Sequence, residues 1–146
     1  MTEHRPPTAP PSTEDPPVMQ TSTDHPNATL VRQAIEAFNT GDMQAYGDLI
    51  ADDVVWHQIG AETMRGKQAM AESMPGGDVD WKITATVHDV VANDEHAIAL
   101  VEAHATRGDG QTLDYRTAEV MHIRDGKLVE RWAFSDDTQR IIDFFA

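Results

Sequence analysis

Asp125-Gly126-Lys127-Leu128-Val129-Glu130-Arg131-Trp132-Ala133-Phe134-Ser135-Asp136-Asp137 is the stretch from which the rest of the chain can be arranged. Asp-Gly is a two-residue hairpin signal, because a type I′ turn needs positive φ at both central residues. The run behind it, Lys127 to Phe134, reads as a strand that carries a large aromatic and ends in two carboxylates. Three strand-like runs precede it: Val79 to Val91, His96 to Thr106 and Thr112 to Arg124. Asn93-Asp94 and Gly108-Asp109-Gly110 supply the turns between them. Such a meander, if curved, delivers a Trp and acids to one end of a sheet, which is a way to build a small pocket.

Upstream the period changes from strand to helix. Asn27 is the expected N-cap of a helix with Leu30, Val31, Ala34, Ile35 and Phe38 on one face and Gly41 just past its end. A second short helix, Met43 to Ile50, is expected to bury Met43, Tyr46, Leu49 and Ile50. Val54 to Ile59 is rich in β-branched and aromatic residues and reads as a strand. Gly66 to Met74 reads as a third helix stopped by Pro75-Gly76-Gly77, with Met64, Met70 and Met74 around it as core. Ser135 or Asp136 would cap a last helix carrying Ile141, Ile142, Phe144 and Phe145, with Asp137 exposed. The order predicts an α+β domain, residues 27–146, in which helices cover one face of a curved antiparallel or mixed sheet. Residues 1–26 hold seven of the eight prolines and almost no large apolar side chains, so they read as a disordered tail.

Composition excludes several classes of function. A chain of 146 residues that is 40% hydrophobic suffices for one domain with its own core. The net charge of −14 argues against nucleic acid and against an anionic membrane surface, both of which call for clustered Lys and Arg. With no cysteine there is no disulfide framework and no thiolate chemistry. No run approaches the ~18 apolar residues of a membrane span, and no secretory leader is visible, so a cytoplasmic location is the expectation. Gly108-Asp109-Gly110 lacks a nucleotide-binding context. Glu102, His104, His57 and Asp136 lack metal-ligand spacing, so no metal and no cofactor are expected.

Four phrases carry a family resemblance: Ala37-Phe38-Asn39-Thr40-Gly41-Asp42, Ala51-Asp52-Asp53-Val54-Val55-Trp56, Met64-Arg65-Gly66-Lys67 and Asp125-Gly126-Lys127. With the element order, they make the chain resemble the nuclear transport factor 2-like superfamily from about Asn27 to Ala146. Within it the chain is most similar to the SnoaL-like branch, named for a polyketide cyclase, with ketosteroid isomerases as more distant relatives. The resemblance implies a cone-shaped sheet wrapped round three helices, a deep apolar cavity and often a sheet-to-sheet homodimer. It does not by itself assign a reaction.

The resemblance also nominates residues. His57 lies nine residues before Gly66, where the isomerase pattern holds its catalytic base, and a His there suits proton abstraction near neutral pH. Glu119 falls near the isomerases' protonated acid, a site that serves as a standard example of a carboxyl kept neutral by burial. The position of the isomerases' helical tyrosine is Ala34 here, which departs from that mechanism. The plainer role for Glu119 is an ion pair with Arg116 or Arg131. Trp132 followed four residues later by Asp136 resembles the acid-bearing end of SnoaL-like chains, and Asp136 would act as the acid or orient His57. Trp56, Trp132 and Phe134, with Phe38, Met121 and His122, would enclose the substrate. Glu119 and His122 lie on opposite faces of a regular strand, so only one of them faces a cavity.

Two functions remain. One is a cofactor-independent enzyme doing acid/base chemistry on a small hydrophobic carbonyl-type substrate. The other is a non-catalytic small-ligand-binding or dimeric interaction module of the same fold.

Overall fold

The computed structural model describes residues 25–73 and 80–146. Most of the expected tail, Met74, the Pro75-Gly76-Gly77 stop and Val79 lie outside the described residues. The elements in order are α1 (Pro26–Thr40), α2 (Met43–Asp48), β1 (Ile50–Trp56), β2 (Met64–Arg65), α3 (Lys67–Glu72), β3 (Trp81–Ala92), β4 (His96–Arg107), β5 (Thr112–Arg124), β6 (Lys127–Ser135) and α4 (Thr138–Phe145).

The α1 helix is capped two residues earlier than expected. Pro26 occupies the first turn, where its missing N–H costs nothing, and His25 is the N-cap, its Nδ1 accepting from the Asn27 N–H at 3.1 Å. Asn27 instead donates its side-chain amide to the Asn93 carbonyl at 2.8 Å. At the other end Gly41 takes the left-handed conformation, φ 75°, that closes the helix. The buried face of α1 is Ala28, Leu30, Val31, Ala34 and Ala37.

Six strands form one curved, open sheet in the order β2-β1-β6-β5-β4-β3. Neighbours are antiparallel except β1 and β6, which run parallel with Trp56 opposite Arg131. Register shifts between Val87 and Asp89, and between His122 and Ile123, interrupt the long ladders. Such irregularities sharpen the twist and help the sheet wrap round the helices. The inward face of β4 is Ala97, Ala99, Val101, Ala103 and Ala105. These small side chains let α1 approach closely, and they leave space wherever no helix follows them. Asn39 at the end of α1 donates to the Ala85 carbonyl at 2.6 Å and accepts from its N–H at 2.9 Å, occupying backbone groups of the edge strand β3.

Two hydrophobic cores result. The larger joins α1 to Tyr46, Ile50, Val54, Met70, Val90, Met121, Ile123 and Leu128. The smaller joins α4, through Ile141 and Phe144, to Ala105 and Leu113 at the far end of the sheet.

Several expectations are corrected. Met43 is 39% exposed, because α2 is only six residues long and turns Tyr46 inward instead. The first strand runs from Ile50 and stops at Trp56, which leaves His57 to Ile59 in a loop. The cap of α4 is Asp137, whose side chain accepts from the Arg140 N–H at 3.2 Å, rather than Ser135 or Asp136. No helix among the described residues is long and apolar enough to cross a membrane.

Two glycines separate conformational strain from packing. Gly41 and Gly60 both have positive φ, but a Cβ on Gly41 meets nothing within 4 Å, whereas one on Gly60 lies 2.3 Å from Ile142 Cγ1 of α4. Gly41→Ala is expected to cost about 1 kcal/mol from strain alone. Gly60→Ala should cost about 1–3 kcal/mol more by overpacking, and Ile142→Ala in that background should recover part of it, all measured by denaturant unfolding.

Candidate active site

A cavity of about 570 Å³ opens between the two cores. Its walls are mostly apolar: Ile35 and Phe38 of α1, Trp56 of β1, Ile59 of the following loop, Met64, Met70, Trp81 and Ile83, closed by Ile141, Ile142 and Phe145 of α4. Ala85 and Ala103 supply the floor, since neither side chain is large enough to fill the space beneath the helices.

Few polar groups enter this space, and several converge. Glu119 and Arg131 both line it, and Arg131 Nη2 donates to Glu119 Oε1 at 2.8 Å. Arg131 is 8% exposed. Its guanidinium lies over the Trp56 ring, 4.4 Å from the centroid, and its Nη1 donates to the His57 carbonyl at 3.3 Å. Arg131 Nε has no hydrogen-bond partner among the described residues, and the indole face beside it supplies the remaining attraction. Thr117 Oγ1 is 3.5 Å from Glu119 Oε1.

The chain's two tyrosines, Tyr46 and Tyr115, also line the cavity. Neither hydroxyl has a hydrogen-bond partner among the described residues, so both are free to donate to a ligand. Burial holds the Tyr46 phenol well above its ordinary range, with Arg131 pulling it down and Glu119 pushing it up. The Tyr115 phenol is pushed up to about 12, again first by burial and then by Glu119. Both are neutral O–H donors at any physiological pH.

The residues nominated from the sequence divide between the two faces of the sheet. Glu119, Phe38 and Trp56 line the cavity. Met121 points to the same face but is packed in the larger core. His57, His122, Trp132, Phe134 and Asp136 do not line it. The carboxylate of Asp136 accepts from the Arg116 N–H at 3.2 Å, and Asp136 and Phe134 border a groove on the outer face with Leu100, Glu102 and Arg116. Phe134 is 63% exposed there. The expected His57–Asp136 pair is therefore replaced: His57 Nε2 is 2.8 Å from Glu130 Oε2 and His57 Nδ1 is 3.1 Å from Thr63 Oγ1. The reason is local. Trp56 faces the cavity, so the next residue along the extended backbone presents its imidazole to the outer face, where it stacks on Trp132 at 5.1 Å between centroids and 6° between planes. His122 meets the same indole edge-on at 4.9 Å.

Glu119 makes the plainer of its two expected contacts, the ion pair with Arg131. The polar cavity residues missed in the sequence include Tyr115, Thr117, Arg131 in its central place, and Tyr46, which the sequence marks only as a buried residue of the second helix. Parity along β5 groups Tyr115, Thr117 and Glu119 on one face, and that was the available signal.

A helix-lined, curved open sheet around a cavity that holds a carboxylate, a guanidinium and two phenols defines a nuclear transport factor 2-like domain of the enzyme-like kind. A family model of the SnoaL-like domain matches residues 31–131, and the chain belongs to that family. An uncharacterized protein of Mycobacterium tuberculosis (strain ATCC 25618 / H37Rv) is 28% identical, over 85% of this chain and 99% of its own length. Among solved structures, Bal32a from a soil-derived mobile gene cassette has 25% identity and a TM-score of 0.72, covering 83% of this chain and 97% of its own. A LEH-like epoxide hydrolase of M. tuberculosis has 16% identity and a TM-score of 0.68, covering 82% and 91%, and shows likeness of fold.

Because both tyrosines border the cavity, ultraviolet phenolate absorbance reports on it alone. Titration of the folded protein is expected to show no phenolate forming near pH 10, the ordinary tyrosine value, with Tyr115 titrating near 12. A pKa raised in the folded state stabilises it below the unfolded value and ceases to do so above the folded one. Unfolding free energy should therefore fall as pH rises from 10 to 12, by on the order of 2 kcal/mol for Tyr115.

Proposed function

We propose that this protein is a cofactor-independent enzyme that moves a proton on a small hydrophobic carbonyl-type substrate held in the cavity. One observation carries the reading: the Glu119 carboxylate and two neutral phenols, neither of them hydrogen-bonded among the described residues, line the same mostly apolar cavity. Glu119 is the acid/base group, oriented by Arg131. Tyr46 and Tyr115 donate to the oxygen on which negative charge develops, a role open only to a protonated phenol. Phe38 and Trp56 enclose the apolar body of the substrate. The fold's known uses are consistent with this, since its neighbours include the epoxide hydrolase and a Xanthomonas campestris protein provisionally named a polyketide cyclase.

The apolar side chains of α4 and the cavity walls surround these groups and strengthen their interactions relative to bulk solvent. His57 and Asp136 have no part in this chemistry, because both belong to the other face of the sheet.

The test is solvent-deuterium exchange into a panel of apolar enolisable ketones, followed by NMR. Wild type is expected to catalyse exchange for at least one ketone, and Glu119→Gln to lower the rate by about 10²-fold or more while a hydrophobic dye still binds. Saturable dye binding with no exchange for any ketone would replace the enzyme with the second reading, a small-ligand-binding module.

We further propose that the helix-free face of the sheet pairs with a second copy of the chain. It carries Val91, Ile98, Leu100 and Phe134, all large and exposed, which is the kind of apolar surface that self-association covers. Light scattering should then give twice the chain mass for wild type and the single-chain mass for Phe134→Asp.

A further inference from the structure

The cavity and the outer face meet at β1 and β6. Glu130 and Arg131 are consecutive on β6 and point to opposite faces, as do Trp56 and His57 at the end of β1. Trp56 and Arg131 make the inner contact, and His57 and Glu130 the outer one. The His57 peptide joins the two. Its N–H donates to the Arg131 carbonyl at 2.9 Å, and its own carbonyl receives Arg131 Nη1 at 3.3 Å.

The hydrogen bonds on the outer face are directional. An ionised carboxylate only accepts, so the 2.8 Å contact with Glu130 assigns the ring hydrogen to His57 Nε2. In the neutral imidazole, Nδ1 is then the acceptor, and Thr63 Oγ1 at 3.1 Å must donate to it. With the flat stack on Trp132, the ring is held at both nitrogens and on one face. Thr63 lies in the segment after β1 that walls the cavity, flanked by Glu62 and Met64, and Gln58 to Ala61 line it too. One carboxylate on the outside of the sheet thus bears on two parts of the inside: the guanidinium that holds Glu119, and the loop that forms one wall.

We propose that Glu130 is a positioning residue for the cavity: acting through His57, it fixes the carbonyl that anchors Arg131 and the loop that walls the site. The catalytic consequence rests on the reading of Glu119 as the acid/base group, but the placement itself does not. The contacts are half-buried rather than superficial, with side-chain exposures of 30% for His57 and 27% for Glu130, so solvent competes with them less than at an open surface ion pair. His122 shares the carboxylate, its Nδ1 lying 3.5 Å from the other oxygen, and His96 packs against His122 at 4.5 Å between centroids. These rings complete the outer cluster, and only His57 among them reaches through to Arg131.

Two substitutions separate the hydrogen bond from the charge. Glu130→Gln removes the charge but keeps an acceptor for Nε2–H, whereas Glu130→Leu removes both at similar volume. In wild type and Glu130→Gln, nitrogen NMR of His57 should show one tautomer, with hydrogen on Nε2 and Nδ1 accepting. In Glu130→Leu the two tautomers should mix. Freed from its anchor, the guanidinium would pull less on the phenols, so the Tyr115 titration should move up in the Leu variant and stay in place in the Gln variant. Where exchange activity is measured, kcat should fall ten- to a hundred-fold in Glu130→Leu, the scale of a small misplacement of a catalytic group, with KM little changed. His57→Ala should reproduce the titration shift and abolish any further effect of Glu130→Leu, the double-mutant outcome required if Glu130 acts through His57. If Glu130→Leu does not fold, His57→Ala alone carries the titration test. A native Tyr115 titration in Glu130→Leu or His57→Ala, or equal displacement in Glu130→Gln and Glu130→Leu, would overturn the proposal. The phenol titration needs no substrate, so failure of the proton-transfer reading and failure of this one are distinguishable.

Discussion

The parallel pairing of β1 with β6 is the constraint on which the rest of the molecule depends. It joins the chain's first strand to its last and so closes the helical half onto the meander. Its register sets Trp56 against Arg131, with the guanidinium over the indole. A slip of β1 by one residue would turn its side chains to the other face, taking Trp56 out of the cavity and leaving the Arg131 guanidinium without its ring. The antiparallel register of β5 with β6 in turn sets Glu119 beside Arg131, so the two pairings together fix the ion pair and the ring that covers it.

The cavity exists because the sequence supplies too little volume to fill the cone. Alanines alternate along β4, and α1 covers only part of that surface. The satellite core under α4 then closes the far end without filling the middle. Glu119, Arg131 and Thr117 form a connected polar set in this space, joined there by two phenols kept neutral by burial. A set so arranged is preorganised for a neutral substrate that gains charge during reaction.

Much of the fold was legible in the sequence. The turn dipeptides Asn93-Asp94 and Asp125-Gly126 mark hairpins whose strands run almost to the expected residues, and Thr112–Arg124 matches at both ends. The α1 face and Gly41 were readable because helical period and positive φ are local properties. The two-residue β2 was missed, since nothing so short has a period. The end of β1 was missed because Val-Val-Trp-His-Gln-Ile keeps strand propensity past Trp56, where the strand stops. His57 was expected in the cavity together with Trp56, although consecutive residues of an extended chain point to opposite faces. Asp136 and Asp137 are both good caps, and only the backbone at the end of β6 decides between them.

The sequence by itself determined the four helices and the long strands, the hairpin order and the membership of the domain in its family. Turn chemistry, hydrophobic period and family motifs act within a few residues of one another, or repeat in recognisable phrases. The tertiary structure alone decided which carboxylate meets which base. Glu119 and Arg131 are twelve residues apart on neighbouring strands, and His57 and Glu130 are seventy-three apart on a parallel pair. Such contacts depend on register, on a bulge and on where a strand ends, and each of these is fixed by packing against partners distant in the chain.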